Sequence, residues 1–469
     1  MSNKKIQLLA ILFVCLSATI IQAENKDAIY AEFEANAVSS TGNYAPFLLQ
    51  SNKNGTVSHL PHSGTLQIEM GKNMNNHDRL IDYGFGIAAL GMMDTKGFTT
   101  FMPKLFAAAR FYIFDATIGI CPTTFGNEDK ELSSGGLIFS NNARAIPRAT
   151  VGIREYRPIP YTWGYAEIKG GLTHAWFDDN VYINKGFLHH KFIGGKLGGR
   201  LPVNISYEFH HAAQWGGYSP IYDDLGNDFN AFLNTFLAQS GGSMANDQLN
   251  AQGNHIGSQQ MGLDIKIKGW KLTAYWQTIF EDGPIKKPWN SMNYPDGLWG
   301  CAISQTHFPF INKIVYEYIN TSDQSGPSHD KDGLVFGGAD SYFMNSIYQN
   351  GWNYHLRTIG TPFITSPIYN TDGTIHTTNN RTQTHYVALK GNTQGYYYKA
   401  RLSNTKNYGT YGAPYKSQNT SFVLEIEKTI KKAWGMDLGL ALGTNWGTQL
   451  GNTVGIMFSA KKRFEIITY

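Results

Sequence analysis

The sequence predicts an all-β protein, a single transmembrane outer-membrane barrel of about 18 antiparallel strands with short periplasmic turns and long extracellular loops. Three observations predict it. Apolar and polar residues alternate in runs of about ten residues, the length a tilted membrane strand needs. Short and long connections alternate along the chain. Composition pairs 50 glycines and 14% aromatics with only 16% charged residues, against about 25% charged in an average soluble domain. A mean hydropathy of −0.30 excludes a bundle of membrane helices. The aromatic content and low charge exclude a disordered chain.

The N-terminus supplies the export signal. Lys4 and Lys5 precede an apolar run from Ile6 to Ile21, and Ala23 offers a small residue for cleavage, so residues 1–23 read as a secretory signal peptide. Residues 24–469 are then one barrel domain. Cys15 lies in the apolar run without the small neighbours of a lipoprotein signal. Cleavage removes two lysines and no acid, lowering the net charge from +4 to +2, too little to suggest a nucleic-acid partner. Cys121 and Cys301 remain. Two distant cysteines make neither a disulfide framework nor a metal site, although one disulfide stays open.

Strands follow from period two. Leu263, Ile265 and Ile267 alternate with Asp264, Lys266 and Lys268; Ile205, Tyr207 and Phe209 alternate with Ser206, Glu208 and His210. Phe422, Leu424 and Ile426 do the same against Val423, Glu425 and Glu427, as do Met436, Leu438, Leu440 and Leu442 against Asp437, Gly439, Ala441 and Gly443. Alternation puts each set on one face. The second face, of Glu, Lys, His and Gly, suits a polar lumen. Short connections are expected near 73–78, 114–115, 155–160, 198–202, 269, 305–312, 391–395 and 431–433. Long ones are expected at 39–63, 122–147, 213–256, 282–297, 322–382 and 405–416. The first strand is placed near Tyr30–Val38 and the last near Asn452–Ala460, where Lys461–Lys462–Arg463 breaks the pattern. Residues 322–382 have room for a further hairpin. One helix is expected near 228–240, capped by Asp228, carrying Phe229, Phe232, Leu233, Phe236 and Leu237 at helical spacing and ended by Gly241–Gly242. It packs on the rim, plugs the mouth or binds a partner.

Reaction chemistry is not apparent. The chain has no H-E-x-x-H, P-loop, C-x-x-C or G-x-S-x-G, and no spacing joins His307 or His385 to a serine. Members of His189–His190 and of His210–His211 point to opposite sheet faces, so neither pair easily holds one metal. Asp178–Asp179 and Asp223–Asp224 suit turns as well as calcium. No catalytic residue, metal ligand or cofactor is assigned.

Several segments mix aromatic faces with amide or guanidinium donors: Ser140–Arg148 (S-N-N-A-R-A-I-P-R), Glu155–Tyr161 (E-Y-R-P-I-P-Y), Leu188–Lys191 (L-H-H-K), Ala213–Gly217 (A-Q-W-G-G), Tyr348–Trp352 (Y-Q-N-G-W) and Asn407–Tyr411. Such a mix suits sugars, whose apolar ring faces stack on aromatics while their hydroxyls need paired donors and acceptors. It equally suits a tightly packed lumen in which every buried polar group is paired.

As an ordered series with Ala45–Pro46–Phe47 and I-G-T-P at Ile359–Pro362, these motifs resemble the Wzi-type capsule-assembly proteins, particularly the form found in Bacteroides-like bacteria. The resemblance spans roughly Tyr44 to Ala460. It implies an outer-membrane barrel that binds exported capsular polysaccharide and helps hold it at the cell surface, a lectin-like role without catalysis. Better-known enterobacterial members carry a helical segment before the barrel, for which residues 24–29 leave little room. The aromatics expected to meet glycan are Trp215, Tyr218, Tyr222, Trp289, Tyr294, Tyr348, Trp352 and Tyr354, with Arg357 and Lys286–Lys287 facing acidic sugars. Expected partners are the polysaccharide, outer-membrane lipid and the export machinery. Arg154, Tyr156 and Arg157 fall at a periplasmic turn, as structural residues or contacts to that machinery. The alternative is a diffusion channel for sugars or oligosaccharides, because a polar lumen with Glu208, Lys266 and Glu425 serves both.

Overall fold

Alternation this regular closes a sheet on itself. The computed structural model describes residues 28–74, 79–239, 252–281, 295–324, 329–331, 334–336 and 341–467. Residues 1–23, expected as a signal peptide, and Trp289, Tyr294 and Lys286–Lys287 lie outside the described residues. The strands are β1 (Ile29–Ser40), β2 (His62–Lys72), β3 (Ile81–Asp94), β4 (Gly97–Phe111), β5 (Phe114–Ile120), β6 (Pro147–Pro158), β7 (Ala166–Trp176), β8 (Phe187–Leu197) and β9 (Val203–Trp215). They continue as β10 (Asn254–Ile267), β11 (Trp270–Gln277, resuming as Phe280–Glu281), β12 (Gly297–Gln305), β13 (Lys313–Asn320), β14 (Thr382–Thr393), β15 (Tyr396–Gly409), β16 (Pro414–Ile430), β17 (Met436–Gly447) and β18 (Thr453–Ile467). Each pairs antiparallel with its chain neighbours, and β1 also pairs with β18, giving a closed 18-stranded barrel. Closure leaves no edge and pairs every strand within the sheet, the condition for a barrel in lipid. Among the described residues, no helix is long and apolar enough to cross a membrane.

The four alternations resolve as read. Ile205, Tyr207, Ile267, Leu438, Leu440 and Leu442 are exposed on the outer wall, while Glu208, Val423 and Ala441 are buried in the lumen. Aromatics gather at the short-turn end, among them Tyr112, Phe308, Phe310 and Trp434, all exposed, as in the girdle of a membrane barrel.

Three boundaries differ from expectation. β18 does not stop at Ala460. Its basic run pairs with β1, Lys461 opposite Glu34 and Arg463 opposite Glu32, with Lys461 Nζ 3.0 Å from the Glu32 carboxylate. The acidic first strand thus neutralises the charges that break the alternation. Residues 410–413 form a tight turn and no long loop. The 322–382 region does hold hairpins, 329–331 with 334–336 and 353–354 with 357–358, but neither joins the barrel. The helix α2 spans Phe229–Leu237, the short α1 being Phe47–Gln50. Asp228 caps α2 by accepting from the Ala231 N–H, but left-handed Ala238 ends it before Gly241. Cys121 and Cys301 are free.

Candidate functional site: the lumen and its long-loop mouth

Three loops enter the lumen from the long-loop end: residues 41–61, 121–146 and 341–381. The motifs singled out in the sequence are where they lock together. Asn142 donates through Nδ2 to the Thr358 carbonyl, the Thr358 hydroxyl (2.9 Å) and the Ser366 hydroxyl. Backbone bonds run from Ser140 N to Ile359 O (2.8 Å), Thr361 N to Leu137 O (2.9 Å) and Asn54 N to Asn141 O (2.6 Å). Gln214 on β9 donates to the Gly351 carbonyl (2.9 Å), and the Trp352 indole donates to the Ile138 carbonyl (2.8 Å). Gly351 has φ +65°, and a Cβ there would lie 2.0 Å from the Phe343 carbonyl oxygen, so only glycine lets these backbones approach.

Inward-facing strand residues anchor the loops. Glu317 on β13 is fully buried and accepts from Ser133 Oγ (2.6 Å), Ser134 N (2.8 Å) and the Tyr275 hydroxyl (2.7 Å). Arg401 on β15 donates to the Leu48 carbonyl and, with Lys53, pairs with Glu425 (both 3.1 Å). The 121–146 loop reaches down to the short-turn end, where Glu131 meets Lys313 and Lys390. Burial works to raise the Glu131 pKa, but its bonds to the two lysines outweigh this and hold it at about 2. His59, between the Tyr44 and Tyr369 rings, falls to about 4 because burial and nearby Arg357 disfavour its cation. Among the described residues, loop and lumenal residues form one continuous apolar cluster, running from Val38 and Phe47 through Leu137 and Trp352 to Tyr386 and Val423.

This arrangement relocates most of the expected glycan contacts. Trp352, Tyr348, Tyr354 and Arg357 are buried within the plug. Arg357 donates to the Gln50 side chain (2.7 Å) and the Val57 carbonyl (3.2 Å), and the Tyr354 hydroxyl donates to Asp178. They hold loops together and offer no face to a ligand outside. Trp215 is buried too, but on the outer wall, against Phe187 and Phe232. Its position was readable: the outward series Ile205–Tyr207–Phe209 reaches Trp215 in steps of two. Of the described set, only Tyr218 and Tyr222 are exposed.

A group not selected from sequence lies at the long-loop mouth. Half-buried Arg144 sits 3.8 Å above the Phe101 ring. Burial lowers its pKa, while nearby Tyr354 and Asp178 act to raise it. The Asp178 side chain is exposed, and Asp179 accepts from the His355 N–H (2.8 Å). Burial raises the Asp179 pKa and lowers that of His355 to about 4. Arg144 belongs to the N-A-R-A-I-P-R motif, but its stacking on Phe101 depends on a strand far away in sequence. A stacked cation beside an exposed carboxylate can take sugar hydroxyls and an acidic substituent.

No family model matches the chain, and no curated protein matches its sequence. Among solved structures it is similar to Wzi of Escherichia coli, an outer membrane protein involved in group 1 capsule assembly and described as a carbohydrate-binding β-barrel. That match has a TM-score of 0.58 at 14% identity and covers 98% of this chain and 88% of that one. Pseudomonas aeruginosa OprD matches with a TM-score of 0.47 at 10% identity, covering 95% and 98%. OccD3 (OpdP) of the same organism matches at 0.46 and 10%, covering 94% and 92%.

Proposed function

We propose that this chain is a Wzi-like capsule-assembly protein, a lectin-like barrel of the outer membrane that binds exported capsular polysaccharide at its long-loop end and helps assemble or anchor it there. It acts by binding and not by catalysis. The observation that carries this reading is the lumen filled by three interlocked loops. A filled barrel offers a rigid surface more readily than a passage, and rigid platforms lose little entropy when they bind. The carbohydrate binding described for Wzi agrees with it. The contact residues proposed are Arg144, Asp178, Tyr218 and Tyr222. At the opposite end, Tyr161 is 94% and Trp163 83% exposed, both at positive φ; this turn is proposed to meet the export machinery in the periplasm.

The test is glycan binding by the purified protein together with capsule retention on cells. Removing a stacked cation costs about 1–2 kcal/mol, roughly tenfold in affinity. Arg144→Ala with Tyr222→Ala should therefore weaken polysaccharide binding and release polymer into the medium. Unchanged binding and retention would remove this site assignment. The charged lumenal group of Arg401 and Glu425 on the wall with Lys53 of the 41–61 loop favours a second reading, a diffusion channel. Large currents in planar bilayers that sugars block would select it over the tether.

A further inference from the structure

The outer wall of β7–β10 is apolar only in part. On the face that exposes Ile193, Ile205 and Met261, the positions nearer the long-loop end are His174 and His189, Lys191, His211 and His255. Parity fixes this, because each is an even number of residues from an exposed outward residue or directly opposite one that is. Strand β8 has 11 residues; at about 3.3 Å per residue and about 45° tilt it rises about 25 Å, the height of the apolar band of such barrels. A band of that height centred on β8 takes in His189 and Lys191, and ionisable side chains there are costly.

Helix α2 covers His174, His189 and Lys191. His189, His211 and His255 are completely buried although they point away from the lumen. Phe236 and Phe232 lie 5.1 and 5.9 Å from the His189 ring. The Lys191 ammonium donates to the Phe236 carbonyl and sits 4.1 Å above the Phe236 ring. His211 and His255 bond to each other (2.8 Å), and His255 Nε2 donates to the Gln252 carbonyl (2.8 Å). The helix carries no charged residue, and its next stripe, Phe229 (71% exposed), Leu233 and Leu237 (51%), faces away from the wall.

We propose that α2 lies in the outer leaflet of the membrane as a shield over this polar patch, with Phe229, Leu233 and Leu237 against lipid acyl chains. The occupant is lipid because the stripe continues the exposed belt of Ile193, Ile205 and Met261 on the same outward face. The inference rests on the reading of the barrel as membrane-embedded, and goes beyond it in placing a loop helix within the bilayer.

The experiment uses the full mature chain in lipid nanodiscs, with Cys121→Ser and Cys301→Ser and one spin-labelled cysteine at a time. Collision with oxygen, which concentrates in lipid, is compared with collision with a water-soluble nickel chelate. Phe229→Cys and Leu237→Cys should favour oxygen as Ile193→Cys does, with a ratio at least about fivefold above that of Asp223→Cys in the surface loop. Ratios matching Asp223→Cys would place the helix in water and overturn the proposal. Exclusion of both reagents would mean a protein cover, a second copy or another partner, and would also overturn it. If Ile193→Cys fails to favour oxygen, the membrane reading falls as well, which separates the two failures. A second pair needs no cysteine replacement: Leu237→Asp should reduce folded yield in lipid but not in detergent, while Asn230→Asp should not. Equal yields for the two would count against the shield.

Discussion

Strands β8 and β9 each carry a His–His pair, and the two members of each pair sit on opposite sides of one wall. Inside, His190 and His210 stack and bond (3.2 Å), and His210 bonds Glu208 (3.1 Å), which also takes Lys169 (2.6 Å) and the Tyr156 hydroxyl (3.0 Å). Phe125 and Phe139 of the 121–146 loop close over His190, both 4.6 Å away. Outside, His189 is covered instead by α2, and His211 bonds His255. Period two decides the face of each histidine. The cover on that face decides its partners: an interlocked plug within, a single helix without. The plug draws on three distant loops, whereas α2 lies in the one loop that follows β9. The plug should therefore be the more cooperative of the two, and its mutations should cost more.

The sharpest test of that difference is Trp352→Ala. The side chain is fully buried where the 341–381 and 121–146 loops meet, and such truncations cost about 3–5 kcal/mol. The plug should loosen as a unit, seen as new ion conductance in planar bilayers and a lower melting temperature. Conductance and melting like those of the parent would mean that the loops are held independently. On the outer wall, Asp228→Ala removes one cap bond of 2.8 Å, worth about 1 kcal/mol. Amides of 229–237 should then exchange about fivefold faster, with the plug unaffected. Coupled loosening of both regions would erase the distinction.

How far the sequence revealed each region follows the same division. The strands were legible because their signal is local: each alternation can be read within a single strand. The α2 cap and spacing were legible for the same reason, though its C-terminus was misplaced because Ala238 adopts the left-handed conformation ordinarily left to glycine. The plug was legible only as a list of motifs. That Asn142 meets Thr358, or Gln214 meets Gly351, joins residues 216 and 137 positions apart, and nothing local announces such a pairing. Sequence alone places Trp352 and Tyr354 on the surface, because a long loop is expected to stay outside. Here the loops turn inward, and the alternative reading of those motifs, a lumen in which buried polar groups are paired, describes them. Arg144 belongs to the N-A-R-A-I-P-R motif, yet its partner Phe101 stands on β4, 43 positions earlier in the chain.

The smallest expected effect tests the foot of the plug. Glu131 is about half exposed, so its pairing with Lys313 and Lys390 is screened by water and is worth at most about 1 kcal/mol. The sign follows from the direction of its shift. The folded carboxyl is held down at about 2 from its ordinary 4.5, so the folded state binds this proton less readily than the unfolded chain. The pairing then contributes fully above about pH 4.5 and is lost as the pH falls toward about 2. Glu131→Gln lacks the charge at every pH. Amides of 128–134 should exchange faster in the variant than in the parent at pH 7, and the difference should close between pH 4.5 and 2. A difference that persists at the acid end would assign the effect to packing around the loop. A difference absent even at neutral pH would mean that the apolar cluster around Leu137 and Trp352 holds the plug without help from its foot.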